Sequence, residues 1–179
     1  MLDPHDSKMV GYHLFLEPTG DTARELERII ATLAHEYGAP TFAPHLTIAA
    51  RIPHEIGEAN IVEKATRLAK NQKPFSVVLE DIGMEDVYFR TLYLKAKVSP
   101  ELEKLHQEAN QLFSLTDTLS FVPHVSLLYG NFSPEDKEKS VPSLGLLKGI
   151  GFLADRLHVY QTEGVATEWK KIGEVSFQS

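Results

Sequence analysis

The chain contains no cysteine. That excludes disulfides, thiolate nucleophiles and cysteine-ligated zinc or iron–sulfur sites. No apolar run approaches the ~20 residues that a membrane-spanning helix needs. The opening "MLDPHDSKMV" lacks a basic stretch followed by an apolar one, so no secretory leader and no membrane partner are expected, and a cytoplasmic location is the default. There is no run of Lys or Arg, and 18 basic residues face 25 acidic ones for a formal net charge of -7. Non-specific binders of long nucleic acid need a basic face that releases counterions. Long nucleic acid is therefore not an expected partner; a small nucleotide or a chain end is. The phosphate-binding P-loop, the G-x-S-x-G elbow and the dinucleotide glycine fingerprint are all missing. His5, His13, His35, His54, His106 and His158 form no H-x-H or H-x-x-x-H pair, so no metal site is expected. Glu80, Asp81, Glu85 and Asp86 lack calcium-loop spacing and read as a solvated turn.

What is present fits one domain of two joined lobes over residues 1–179. Val10 to Leu16 reads as a strand. Thr22 and Glu25 have capping-box spacing, and Leu26, Ile29, Ile30, Leu33, Ala34 and Tyr37 then recur at helical spacing up to Gly38. A second helix is expected from Glu58 to Lys70. "PFSVVLEDIG" and "VYFRTLYLKAKV" read as two strands joined by an acidic turn at Gly83 to Asp86. Ser99–Pro100 and Ser133–Pro134 each pair an N-cap with a first helical proline, opening a third and a short fourth helix. "GFLADRLHVYQT" suggests a strand pair, and "KIGEVSFQ" a last strand. The mixture predicts an α+β fold of antiparallel sheets backed by helices.

One phrase occurs twice. "FAPHLTI" spans Phe42 to Ile48, and "FVPHVSL" spans Phe121 to Leu127, a little under half the chain apart. On a strand, successive side chains point to opposite faces. His45 and Thr47 then share one face, as do His124 and Ser126, while Leu46, Ile48, Val125 and Leu127 point to the core. A lone His-x-Thr on a strand carries little information. Two copies in a matched frame, with the non-core positions kept, point to a duplicated site. Two imidazoles across a groove suit proton transfer near neutral pH, and two hydroxyls suit the non-bridging oxygens of a phosphate. An in-line displacement at phosphorus has attacking and leaving oxygens on opposite sides, which two facing copies match.

At these residues the chain resembles the two-histidine phosphoesterase superfamily, whose signature is a pair of H-x-[TS]-x motifs. It is similar in particular to the plant and yeast type of cyclic phosphodiesterase, through "PHVSLLYG", "GYHLFLEP" and "TEGVATEW". The resemblance implies a bilobal fold with two antiparallel sheets lining a central groove and helices on the outer faces, no required cofactor and a place in RNA processing and tRNA-splicing metabolism. It also implies hydrolysis of a 2′,3′-cyclic nucleotide or of ADP-ribose 1″,2″-cyclic phosphate to a phosphomonoester. On it, His45 and His124 are the acid–base pair, Thr47 and Ser126 bind phosphate and Tyr129 holds the substrate. The residues leave open which histidine is the base; His124 is the expectation. Tyr129 has the opposite parity to His124 and must reach the site from a strand end or a bend.

Phe89, with Thr91 and Tyr93, would face the groove opposite Leu92, Leu94 and Ala96, and could stack a base. Phe15 shares parity with His13 and would form a second aromatic wall. His13 is expected to be structural. Arg51 has the parity of His45 and Thr47 and could steer phosphate, but a plain surface position is the expectation, and Trp169 is expected in the core. A monomer acting on a small nucleotide cyclic phosphate is the leading expectation. The alternatives are an RNA-end cyclic phosphodiesterase or 2′–5′ RNA ligase-like enzyme, and a non-catalytic nucleotide-binding module.

Overall fold

The computed structural model describes residues 6–116, 121–141, 144, 147 and 149–178; His5 lies outside them. The strands are β1 (Tyr12–Leu16), β2 (Leu46–Ile52), β3 (Phe75–Met84), β4 (Leu92–Ala96), β5 (His124–Leu128), β6 (Gly151–Ala154), β7 (Arg156–Gln161) and β8 (Lys170–Ser176). They form one antiparallel sheet in the order β6-β3-β4-β5-β2-β1-β7-β8. The helices are α1 (Gly20–Tyr37), α2 (Glu58–Ala69), α3 (Pro100–Phe113) and α4 (Pro134–Ser140). The α+β architecture is the expected one. The expected pair of sheets is joined at its centre, where β2 meets β5 at Leu46 and Val125.

The two strands that carry the repeated phrase are therefore the central pair. Reading outward from this seam, β2-β1-β7-β8 mirrors β5-β4-β3-β6, and β1-α1-β2-α2 matches β4-α3-β5-α4. The helices cross the seam. α1 packs on β5, and α3 packs on β2. His106 of α3 reinforces this crossing, since its Nδ1 bonds the Ile48 carbonyl at 2.8 Å. Leu46, Ile48, Val125 and Leu127 are buried, each stabilising by about 1.5–3 kcal/mol. That anchoring fixes the opposite faces of β2 and β5, where the histidines and hydroxyls lie.

The helix signals mostly hold. Ser99 Oγ accepts from Leu102 N–H at 3.2 Å, and Ser133 Oγ from Asp136 N–H at 3.2 Å. Gly38 ends α1 in the left-handed conformation at φ 63°, which glycine adopts without steric cost. The Thr22–Glu25 capping box does not form. The N-cap of α1 is Thr19, and Thr22 Oγ1 donates instead to the Gly151 carbonyl at 2.6 Å, while Glu25 bonds Arg28.

Two strand expectations are corrected. The first strand of the β3–β4 pair runs on to Met84, and the turn falls at Glu85 to Thr91, with a 3-10 turn at Tyr88–Arg90. Gly83 lies under the Tyr93 ring, where a Cβ would sit 2.3 Å from Cζ, so only glycine lets β3 continue there. The "GFLADRLHVYQT" strands do not pair with each other. β6 pairs with β3 at one edge, and β7 lies between β1 and β8. A single residue, Asp155, joins them. One residue cannot span an open eight-stranded sheet, so the sheet curls until its two ends meet. Phe75 and Phe177 stack across that closure with ring centroids 6.1 Å apart.

Candidate active site

The concave side of the curl holds a cavity of about 470 Å³, within the ~300–1,000 Å³ typical of small-molecule sites. His45, Thr47, His124, Ser126, Tyr129, Phe89 and Phe15 all line it. Strand parity brings in the first four. Thr47 lies beside Phe15 and Ser126 beside Tyr93 in the register of the sheet.

Each repeat orients its imidazole in the same way. His45 Nδ1 bonds the Ala43 carbonyl at 2.7 Å, and His124 Nδ1 bonds the Val122 carbonyl at 2.8 Å. In both, the acceptor is the residue before the proline. A carbonyl only accepts, so Nδ1 carries the proton and the neutral ring presents a bare Nε2. Two Nε2 lone pairs thus belong to one cavity. Fixing the tautomer is one physical use of the x-Pro-His spelling, since in both copies the carbonyl two residues before the histidine meets its ring.

The surroundings of the rings differ. Phe15 stacks on His45 with centroids 4.0 Å apart at 25°. Burial pushes the His45 pKa down to about 4, against the bond to Ala43 and the nearby charge of Glu17, which raise it. His124 keeps part of its ring open, with the edge of Tyr93 at 5.0 Å. Burial again lowers its pKa, as does Arg90, while the Val122 carbonyl and Glu85 oppose the fall.

Tyr129 follows the end of β5, which frees it from strand parity. Its hydroxyl lies 3.4 Å from His45 Nε2, and its ring stacks on Phe42 at 3.7 Å. Ser126 Oγ donates to the Phe89 carbonyl at 2.9 Å. The Thr47 hydroxyl makes no hydrogen bond among the described residues.

Phe89 reaches the cavity, but by a different route from the expected one. It sits on the 3-10 turn before β4 rather than on the strand. Its expected companions do not line the cavity. Thr91 is buried and donates to the Gly130 carbonyl. Tyr93 donates to Glu85 at 2.8 Å, and burial and Glu85 push its pKa up to about 12.

Three cavity residues depart from the sequence expectation or escape it. Trp169 is a wall rather than a core anchor, with its ring 5.8 Å from Phe89 and 6.0 Å from His45. Arg51 is exposed as expected, yet it lines the cavity. Arg90 pairs with Glu85 and also lines it. The sequence hint for Trp169 was its place in the link before a strand, where a large ring has no sheet position to fill. His13 is structural, as expected. Its Nδ1 bonds Thr162 Oγ1 at 2.6 Å, and burial lowers its pKa to about 3. Among the described residues, no three His, Asp or Glu side chains converge in a metal-binding group.

A family model described as the 2′-5′ RNA ligase superfamily matches residues 18–166. A cyclic phosphodiesterase of Arabidopsis thaliana is 22% identical over 156 residues, covering 85% of each chain. A 2′,3′-cyclic-nucleotide 3′-phosphodiesterase of Phaeosphaeria nodorum is 28% identical over 193 residues, covering 93% of this chain and 98% of that one. Among solved structures, E. coli LigT complexed with 3′-AMP superposes with a TM-score of 0.63 at 16% identity, over 96% of this chain and all of LigT. A Thermus thermophilus protein reaches 0.68 at 16% identity, over 93% of this chain and 97% of its own. With both motifs on the central strands of the shared fold, the chain belongs to the 2′-5′ RNA ligase superfamily of two-histidine phosphoesterases.

Proposed function

We propose that the chain is a metal-independent cyclic phosphodiesterase. It opens a 2′,3′-cyclic nucleotide or ADP-ribose 1″,2″-cyclic phosphate to a phosphomonoester. The carrying observation is the matched pair of Nδ1–carbonyl bonds, which leaves both Nε2 atoms for one cavity. The names of the Arabidopsis and Phaeosphaeria relatives support the reaction class.

In this reading, one neutral imidazole accepts a proton from water as its oxygen attacks phosphorus. The other, protonated, donates to the departing ring oxygen, so one P–O bond forms and one breaks with no net change in protons. His124 is the better placed base, because its ring is partly open and water has access to it. The lone pair of His45 already faces the Tyr129 hydroxyl. His45 then acts as the acid. Its low pKa means that the negative phosphodiester must restore the charge that burial disfavours. Thr47 and Ser126 donate to the phosphate oxygens, with Ser126 turning its O–H away from the Phe89 carbonyl. The rings of Phe89, Trp169 and Phe15 flank the base or sugar.

The test is incubation with 2′,3′-cyclic AMP in the presence of a chelator, followed by phosphorus NMR. A single phosphomonoester signal is expected, and the oxygen it sits on identifies the bond broken. Absence of turnover by the wild-type protein would sink the proposal. A trinucleotide with a terminal cyclic phosphate, run in parallel, separates mononucleotide from RNA-end preference.

A further inference from the structure

One side of the cavity mouth is built with more care than a surface needs. Arg51 is a non-glycine residue at φ 56°, in the left-handed region, where a Cβ crowds the following carbonyl oxygen. It sits where β2 bulges against β1, since Leu14 pairs with Ala49 and Tyr12 with Ile52. Bulges of this kind re-aim a side chain. Buried polar groups hold this one. His13 Nε2 accepts the Arg51 N–H at 3.4 Å. His13 Nδ1–H donates to Thr162 Oγ1 at 2.6 Å, and Thr162 Oγ1–H donates to the Gly11 carbonyl at 3.0 Å. Gly11 itself lies so close that a Cβ would come within 2.6 Å of the Ile52 carbonyl oxygen.

Lys8, three residues before the Gly11 that lies against Arg51, also lines the cavity. Its segment is not a free tail, because Met9 N–H bonds the Gly164 carbonyl at 2.9 Å and Gly164 N–H bonds the Met9 carbonyl at 3.1 Å. Among the described residues, the lysine and arginine side chains that line the cavity are Lys8, Arg51 and Arg90. Arg90 is neutralised by Glu85. Lys8 and Arg51 have no ion-pair partner among the described residues. Asp6, the carboxylate beside them, accepts the Lys8 backbone N–H at 2.9 Å. Lys8 and Arg51 thus face one carboxylate, Asp6, and keep a net positive charge in the cavity lining of a chain whose net charge is -7.

We propose that Arg51 and Lys8 form a second anion subsite, which takes a phosphate or diphosphate carried on the 5′ side of the substrate while its cyclic ester lies between His45 and His124. This rests on the phosphodiesterase reading above. The guanidinium offers two parallel N–H donors to a phosphate, and Lys8 adds a point charge.

The experiment compares kcat/KM for adenosine 2′,3′-cyclic phosphate and for its 5′-phosphorylated form. The wild type is expected to favour the 5′-phosphorylated substrate by about tenfold, with the ratio shrinking as salt rises. In Arg51→Gly the ratio should fall towards one. That variant should keep its thermal stability, since glycine accepts the left-handed backbone. Lys8→Gln should lower the ratio in part. Lys139→Gln, which removes an exposed charge from α4, should leave it unchanged. A wild-type ratio near one, or an unchanged ratio in Arg51→Gly, overturns the subsite and leaves the phosphodiesterase reading intact. Failure of the wild type to turn over either substrate overturns both.

Discussion

The β2 half and the β5 half of the site carry the same phrase in different settings. Around β2, His45 is buried under Phe15, and the Tyr129 hydroxyl faces its Nε2. Around β5, His124 stays partly open beside Tyr93, and Ser126 is engaged with the Phe89 carbonyl. Even the leading phenylalanines differ. Phe42 stacks on Tyr129 within the site, whereas Phe121 stacks on His106 of α3 at 3.8 Å. The repeat sets position and tautomer, and the neighbours set charge and access. Two chemically identical residues are thereby made unequal, which the proposed division into one acid and one base requires.

The most severe test of that inequality is removal of each ring. His45→Ala and His124→Ala should each lower kcat by about 10²–10⁴-fold. The double variant should lose little more, because the pair acts as a unit. Circular dichroism checks the fold. Full activity in either single variant would break the paired mechanism. The hydroxyls proposed to bind phosphate come next. Thr47→Val and Ser126→Ala should each cost about 10²-fold in kcat. Unequal losses would show which half carries more of the developing charge.

A third test sets His45 against His13, a buried histidine outside the chemistry. Both have native pKa values depressed below that of the unfolded chain. The unfolded chain takes up protons below pH ~6.5 that these native rings refuse, so stability is complete above that pH and falls as the pH drops towards their native values. Each should cost about 2 kcal/mol between pH 7 and pH 5. Denaturant unfolding of His13→Gln and His45→Gln at the two pH values should show a shallower fall in each. An unchanged slope would mean that the native rings titrate as they do in the unfolded chain. The smallest effect is expected from Tyr129→Phe, about tenfold in kcat. Loss of a donor to neutral Nε2 should raise the pKa of His45 and leave that of His124, as followed by NMR titration of both rings.

The legible parts of the fold are those set by neighbouring residues. Ser99–Pro100 and Ser133–Pro134 place two helix starts, because an N-cap acts within one turn. Thr22 and Glu25 obey the same local rule and mislead, because the Thr22 hydroxyl is taken by a carbonyl on β6. Parity brings Phe89 to the right cavity from the wrong element. Periodicity does not reveal that Gly83 lets β3 run past the expected turn.

The sequence by itself determined the proposed catalytic constellation: which four side chains share a face, why their neighbours are core, and that the halves form a pair. These follow from the two-residue period of a strand and from repetition, both properties of adjacent residues. Only the tertiary structure decided that β6 and β7 part to opposite halves of the sheet, that Trp169 closes the cavity, and that a bulge held by His13 turns Arg51 to its rim. Each depends on contacts between residues far apart in the chain, where burial and hydrogen-bond satisfaction outweigh local preference.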